Sequence, residues 1–462
     1  MSSDNEHTIT DFSKTRTVLI LLFSWSSVFT LKVMQMFVAP FYLTFLKDRK
    51  LNTTIGLAVN SGALITMLVG PYVAQMVPAW KRLPLWARTG LCLVLSVLSN
   101  VALLSVDYVT NDVIVYTILA VCRFLTGVFI GVLFVEGFGE VVDRFIVNKT
   151  VVTPVVTSAI HISFTVSTIT GAQTYTAGKW TLAATANTAF ALLPLALLPI
   201  IRDSERRIVR ALSTPQTTST TKTDDQTSTD NTELTDEQNS TADPQPQIWM
   251  QRVVFYLPDL VAFCNGYAIV MMVYVATYRA TQYSGMTLEK AALIVSLIFI
   301  VGFVSSFIVS FLNSRLTGRQ IFPLLWVLVT MFWSGCIMLY GSTSIYLPSS
   351  LFLPGALLAG LGTASHTNLT VPAQFALYKA WGLPNEGLAK RGAGLFNVMV
   401  SAAGFLATYM AGLVGSRESE LPTLVAMVTT FVVVMASLII CWAVCLPRPG
   451  EWREIPENNE RC

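Results

Sequence analysis

Two basic side chains, Lys32 and Arg123, stand inside long apolar runs of the sequence, where water reaches them only through a cavity. A charge placed in lipid costs about 2.5–3.5 kcal/mol on insertion scales, so a cation at such depth marks a functional site by default. At 1.5 Å per residue Lys32 lies ~20 Å along the first run and Arg123 ~15 Å along the fourth. Both are expected to line a central cavity and meet a solute there. Snorkelling of Lys32, or capping of helix carbonyls by Arg123, are the structural alternatives. Asp259 is the one carboxylate well inside a run, and its pairing with Lys32 or Arg123 would close one side of such a cavity. Glu136, Arg315 and Arg319, at the ends of runs, are further candidates for gating charges. His161 and His366 titrate near neutral pH and could couple a proton to solute movement, or else are satisfied core histidines. Asn60, Asn265, Asn368, Gln374 and Asn397 offer a donor and an acceptor each, suited to a hydroxylated solute or a base edge, and equally to a neighbouring helix.

Positioning such residues takes membrane-length helices. Runs at 17–46, 55–77, 83–106, 113–138, 151–176 and 180–201, then 253–278, 288–313, 320–340, 349–377, 392–415 and 422–446, approach or exceed the ~20 apolar residues that cross a bilayer core. They are continuously apolar rather than alternating, which predicts helices. Between the two sets of six lies Arg202 to Gln247, 46 residues of which 16 are Ser or Thr, too polar to offset the entropy of ordering them. The expected fold class is an all-α membrane protein of twelve transmembrane helices in two six-helix bundles (17–201 and 248–446), with a disordered linker and short tails, 1–16 and 447–462. With the N-terminus inside, 21 Lys and Arg fall on inside segments and 7 on outside turns, Arg279 among the latter. That bias predicts N-in and C-in topology with the linker in the cytoplasm. Pro40, Pro154, Pro354 and Pro372 interrupt spans and each removes a helical hydrogen bond.

Composition narrows the class further. Hydrophobic residues make up 53% and charged ones 12%, with mean hydropathy +0.59, far from soluble averages. A net charge of +3, spread over short loops, gives no reason to expect nucleic acid. Six of seven cysteines lie in apolar spans and suit small buried hydrophobes. The first apolar run is longer than a signal-peptide core, so a retained first helix is expected. Of four glycosylation sequons only Asn52 is expected to face out, close to the membrane, and no glycan is expected. No Gly-x-x-x-x-Gly-Lys-Ser/Thr occurs, which argues against an ATP-driven pump, and no nucleophile, base or metal set argues for an enzyme or a cofactor.

The layout of six spans, polar loop and six spans resembles the major facilitator superfamily, and Arg123 followed by Gly127 and Gly131 is similar to its Arg-x-x-x-Gly motif, whose arginine points into the central cavity. Gly70 with Lys81-Arg82, and Arg315 with Gly318-Arg319, are similar to its basic loops, with Ala74 and Ser314 standing where the family has aspartate. Lys81-Arg82, Asp107, Gly318 to Pro323, and Glu386 with Gly392, Gly394 and Gly404 also resemble equilibrative nucleoside transporters. The glycine-rich eleventh span resembles sucrose and glycoside carriers. These resemblances imply a membrane carrier of a small polar organic solute, a nucleoside, nucleobase or sugar, working by alternating access. Few buried carboxylates favour facilitated diffusion, with a proton as the open alternative partner. An organic anion held by Lys32 and Arg123, or a sensor or scaffold of the same fold without transport, are the other readings. A monomer in the lipid bilayer of the plasma membrane is expected.

Overall fold

The computed structural model describes residues 14–66, 69–70, 72, 77–133, 135–136, 141, 152–213, 256–313, 315–316, 318–365, 369, 373, 377, 388–416 and 418–445. Among them every regular element is helical. His366, Asn368 and Gln374 lie outside the described residues, as does the strap beyond Ser213, and of Asn397 only the backbone is described.

The apolar runs become helices because lipid offers no partner for an unpaired N–H or C=O group. The first half contains α1 (Lys14–Met36), α2 (Tyr42–Asp48), α3 (Thr53–Thr66), α4 (Leu85–Ala102), α5 (Asp112–Leu133), α6 (Val152–Ala189) and α7 (Leu192–Ser213). The second contains α8 (Leu257–Tyr283), α9 (Leu288–Asn313), α10 (Ile321–Gly341), α11 (Phe352–Ala364), α12 (Leu388–Val414) and α13 (Glu420–Ile440). Eight stretches among the described residues are long and apolar enough to cross a bilayer, one of them the continuous Ser158–Arg210 that holds two expected spans.

Two boundaries depart from the sequence expectation, each for a local reason. The first span, expected at 17–46, breaks between α1 and α2: Pro40 has no N–H, and the Ala39 N–H turns back to the Met36 carbonyl instead of continuing the helical ladder. The fifth and sixth spans meet within the expected gap, at Gly178 and Lys179, where Lys179 takes φ 58° and the chain reverses. The expected disorder from Arg202 is corrected at its start, since α7 continues to Ser213. Arg16 bonds the Ser204 hydroxyl at 2.9 Å and pairs with Asp203. The Glu205 carboxylate accepts the first free amides of α4, from Leu85 at 3.0 Å and Trp86 at 3.3 Å. A helix N-terminus with a carboxylate on its orphan donors is stabilised by both hydrogen bonds and dipole. Polar composition there reflects a helix end tied to its neighbours.

These ties define two ends of the molecule. The near end carries the starts of α1 and α4 and the close of α7; the far end carries α2. At the near end Arg88 and the buried Glu136 pair at 2.5 Å, and the Trp80 indole donates to the same carboxylate oxygen at 2.7 Å. At the far end Arg49 donates to the Val106 and Val109 carbonyls and pairs with Asp107, whose other oxygen accepts the Thr181 amide at 2.7 Å. In the second half Arg279, expected in an outside turn, lies in α8 with 0% exposure. It bonds Thr343, the carbonyls of Gly415 and Ser416, and Glu420, between the rings of Tyr283 and Tyr340. Sequence counting read a charge near a span end as a loop charge. Its real role is to tie three far-end segments together.

Candidate functional site

The halves meet where α3 packs on α12 and α6 on α9, with α2 touching α8. Beside this seam, α1 packs on α6, α7 and α5 of the first half. Trp25 and Phe29 stack at 5.1 Å, and the Trp25 indole donates to Ser158 of α6 at 3.0 Å. On another face Leu31 belongs to a buried cluster with Cys92, Leu93 and Ile130, against which Phe405 of α12 packs. At ~100° per residue, Lys32 and Gln35 fall in the sector between those two faces. Lys32, 9% exposed, donates from Nζ to Gln35 Oε1 at 3.1 Å. Among the described residues it faces no carboxylate.

Arg123 of α5 sits at the break that ends α1. Because the ladder of α1 stops before Pro40, with the Ala39 N–H turned to Met36 instead of Gln35, the carbonyls of Met34 and Gln35 at the helix end take donors from elsewhere, and the guanidinium supplies them at 2.9 and 2.7 Å. A cation on the C-terminal carbonyls of a helix is favoured by hydrogen bonding and by the dipole alike. The sequence expectation that Arg123 lines the cavity is therefore corrected: at 1% exposure it caps a broken helix. Gly171 of α6 lies against the Phe37 carbonyl, where any side chain would collide with backbone, so α6 can approach the break closely. Lys32, Gln35 and Arg123 are thus brought together around one discontinuity, the type of feature that marks solute sites in carriers.

Across the seam the polar contacts are few and specific. Asn60 of α3 donates to the Tyr274 hydroxyl of α8 at 2.7 Å, and Lys47 of α2 stands 4.8 Å over the Tyr278 ring. His161 of α6, 1% exposed, reaches Ser306 of α9 at 3.1 Å through Nε2. Its ring packs on Gly302, where an added Cβ would come within 3.0 Å of the imidazole. Phe164 and Phe299 stack at 4.8 Å beside it.

Other candidates are placed elsewhere. Asn265 is held inside the second half, accepting from Trp333 at 2.9 Å and near Ser365 at 3.4 Å. Asp259, buried in the first turn of α8, does not pair with Lys32 or Arg123. Counting helical rise from the near end puts it more than ~20 Å below Lys32 along the bundle, which corrects that expectation. Glu136 is engaged by Arg88 and Trp80. Arg315 stands over Phe311 and Arg319 over Trp442, both at the near end. Sequence reasoning missed Tyr274 as a cross-seam partner; its position seven residues after Tyr267, on one face of α8, was the available signal.

The sequence model of the family described as Major Facilitator Superfamily matches residues 89–408. No curated protein sequence matches the chain. Among solved structures, a D-xylose-proton symporter is similar with TM-score 0.64 at 12% identity, over 93% of this chain and 97% of that one. The nucleoside transporter NupG gives 0.56 at 10%, over 92% and 99%. A bacterial homologue of the human lysosomal transporter Spinster, in an inward-facing, unoccupied conformation, gives 0.58 at 11%, over 94% and 96%. At such identities the likeness is one of fold.

Proposed function

Because the chain belongs to the Major Facilitator Superfamily, and so is a multi-pass membrane transporter rather than an enzyme, we propose that it carries a small polar organic solute by rocking two six-helix bundles about the α1 break. The observation that carries this reading is the group at that break: a cation and an amide, Lys32 and Gln35, buried and bonded to each other beside the end of a helix. In this reading twelve spans cross the membrane with both termini cytoplasmic, as the basic-residue bias favours. The far end is then the outer face, and the Asn60–Tyr274 and Lys47–Tyr278 contacts close it. Solute would reach Lys32 from the cytoplasmic side.

A ring solute, a nucleoside, nucleobase or sugar, is the class we favour. Support comes from the sugar and nucleoside transporters among the structural neighbours and from the stacked Trp25–Phe29 pair one and two turns before Lys32. The test is a panel of radiolabelled nucleosides, sugars, amino acids and organic phosphates in proteoliposomes, with and without a pH gradient. Uptake of a nucleoside or sugar to equilibrium, indifferent to the gradient, is expected. Absence of flux for the whole panel would favour the scaffold reading.

One observation favours an acidic solute as the second reading: Lys32 faces no carboxylate among the described residues. Lys32→Gln separates the two. A charge-assisted hydrogen bond contributes about 1.5–3 kcal/mol, so uptake of an acidic solute should fall tenfold or more, whereas a neutral ring solute should show only a modest rise in KM.

Tyr274→Phe tests the closure. One neutral hydrogen bond contributes about 1 kcal/mol, roughly fivefold in a two-state equilibrium. The far end should open more often, read as faster modification of a cysteine placed at Leu57. An unchanged rate would mean that this bond does not hold the end shut.

A further inference from the structure

We propose that the crevice between α12 and α13 is a binding site for one acyl chain of a bilayer lipid, entered sideways from the membrane. α12 and α13 both pack on α8 but hardly on each other, and the gap between them encloses about 300 Å³. Its floor is Met271 and Met272 of α8 with Trp333 of α10, and Met427 of α13 forms a wall. All four are nearly inaccessible, at most 8% exposed. The mouth is formed by Leu413, 61% exposed, with Pro422 and Ala426, which are exposed as well.

Shape and chemistry select the occupant. Along α13 the lining runs from Ser419 to Thr430, a rise of ~16 Å at 1.5 Å per residue, about half the thickness of a bilayer core. The Ser419 and Thr423 hydroxyls lie at the boundary end, where α13 begins, the first bonded to the Leu413 and Ser416 carbonyls; the Thr430 hydroxyl, deeper, is bonded to the Ala426 carbonyl. A slot polar at the membrane boundary and apolar inward matches a lipid with its head at the surface and its chain directed to the middle. Left empty, such a void forfeits dispersion contacts along every wall, and apolar walls give water too few partners to fill it. Hydrocarbon of the bilayer is what stands at the mouth. Flexible methionine side chains on three walls, Met271, Met410 and Met427, adapt to chains of varied shape. The proposal needs only that the helices are embedded in lipid; it holds whether or not a solute is carried.

The full chain, reconstituted with a phospholipid bearing a diazirine near mid-chain, is irradiated and the adducts are located by mass spectrometry. Adducts are expected on Met271, Met427 or Trp333 as well as on Val432, which is 58% exposed on the outer face of α13. Ala426→Phe fills the mouth from α13 and Leu413→Trp fills it from α12, so a folding failure of one leaves the other. Either plug should reduce adducts on the floor to the background seen on the core residue Trp180 while Val432 stays labelled. The proposal is overturned if Val432 is labelled and the floor is not, or if both plugged variants label the floor as strongly as the unaltered protein.

Discussion

Arg279→Met is expected to destabilise the protein by about 3–5 kcal/mol, the usual cost of removing one partner from a buried ion pair. Arg279 has no exposed surface and bonds the far-end turns after α10 and α12 together with Glu420 at the start of α13. Its loss leaves Glu420 buried without its guanidinium partner and the Thr343 carbonyl without a donor, while the Gly415 and Ser416 carbonyls keep only the Tyr283 and Ser419 hydroxyls. Folded yield in detergent and the melting temperature should both fall sharply. Because much of the penalty is the abandoned carboxylate, the double change Arg279→Met with Glu420→Leu should recover part of the loss. A single variant as stable as the unaltered protein would show that the hub contributes nothing, and the far-end packing of the second half would need another explanation.

Arg123→Met is expected to abolish transport of every solute. Two charge-assisted bonds disappear, about 1.5–3 kcal/mol each, and the Met34 and Gln35 carbonyls are left buried at a helix end that no longer has a cap. Arg123→Lys, which can reach one carbonyl but not both in a fork, should restore part of the rate. The comparison also separates a cap from a solute ligand. A cap affects the turnover of all substrates together. If Arg123→Met keeps the turnover of neutral solutes and loses affinity for acidic ones alone, then the guanidinium binds solute and its carbonyl bonds are incidental.

The α-helical, membrane-spanning character was legible because continuous apolar runs have one structural solution in lipid. The break at Pro40 was legible for the same reason, since a missing N–H is a property of sequence. What Arg123 does with that break was not. Depth in a span says that a cation must have company, and only the fold shows that carbonyls of α1, freed by the proline, lie within its reach. Arg279 illustrates the opposite failure. It sits close enough to the end of its run to be counted as a surface charge, and its burial depends on turns more than 60 and 130 residues away, at Thr343 and Gly415. Asp259 was singled out for being a carboxylate in a helix; helical rise alone, applied from the right end of the bundle, separates it from Lys32. His161 was read either as a proton-coupling group or as a core histidine; its partner across the seam, Ser306, has no mark in the sequence beyond a small residue, Gly302, one turn away.

Spin-label distances at both ends of the seam test the rocking of the two halves most directly. On a background without the seven native cysteines, one pair of labels is placed at Lys50 and Lys290, exposed at the far end of opposite halves, and another at Lys81 and Arg315, exposed at the near end. The account predicts two populations for each pair, linked in opposite senses: conditions that lengthen the far-end distance shorten the near-end one, and Tyr274→Phe enriches the long far-end population. A single distance at each end, unmoved by Tyr274→Phe and by every solute in the transport panel, would contradict it.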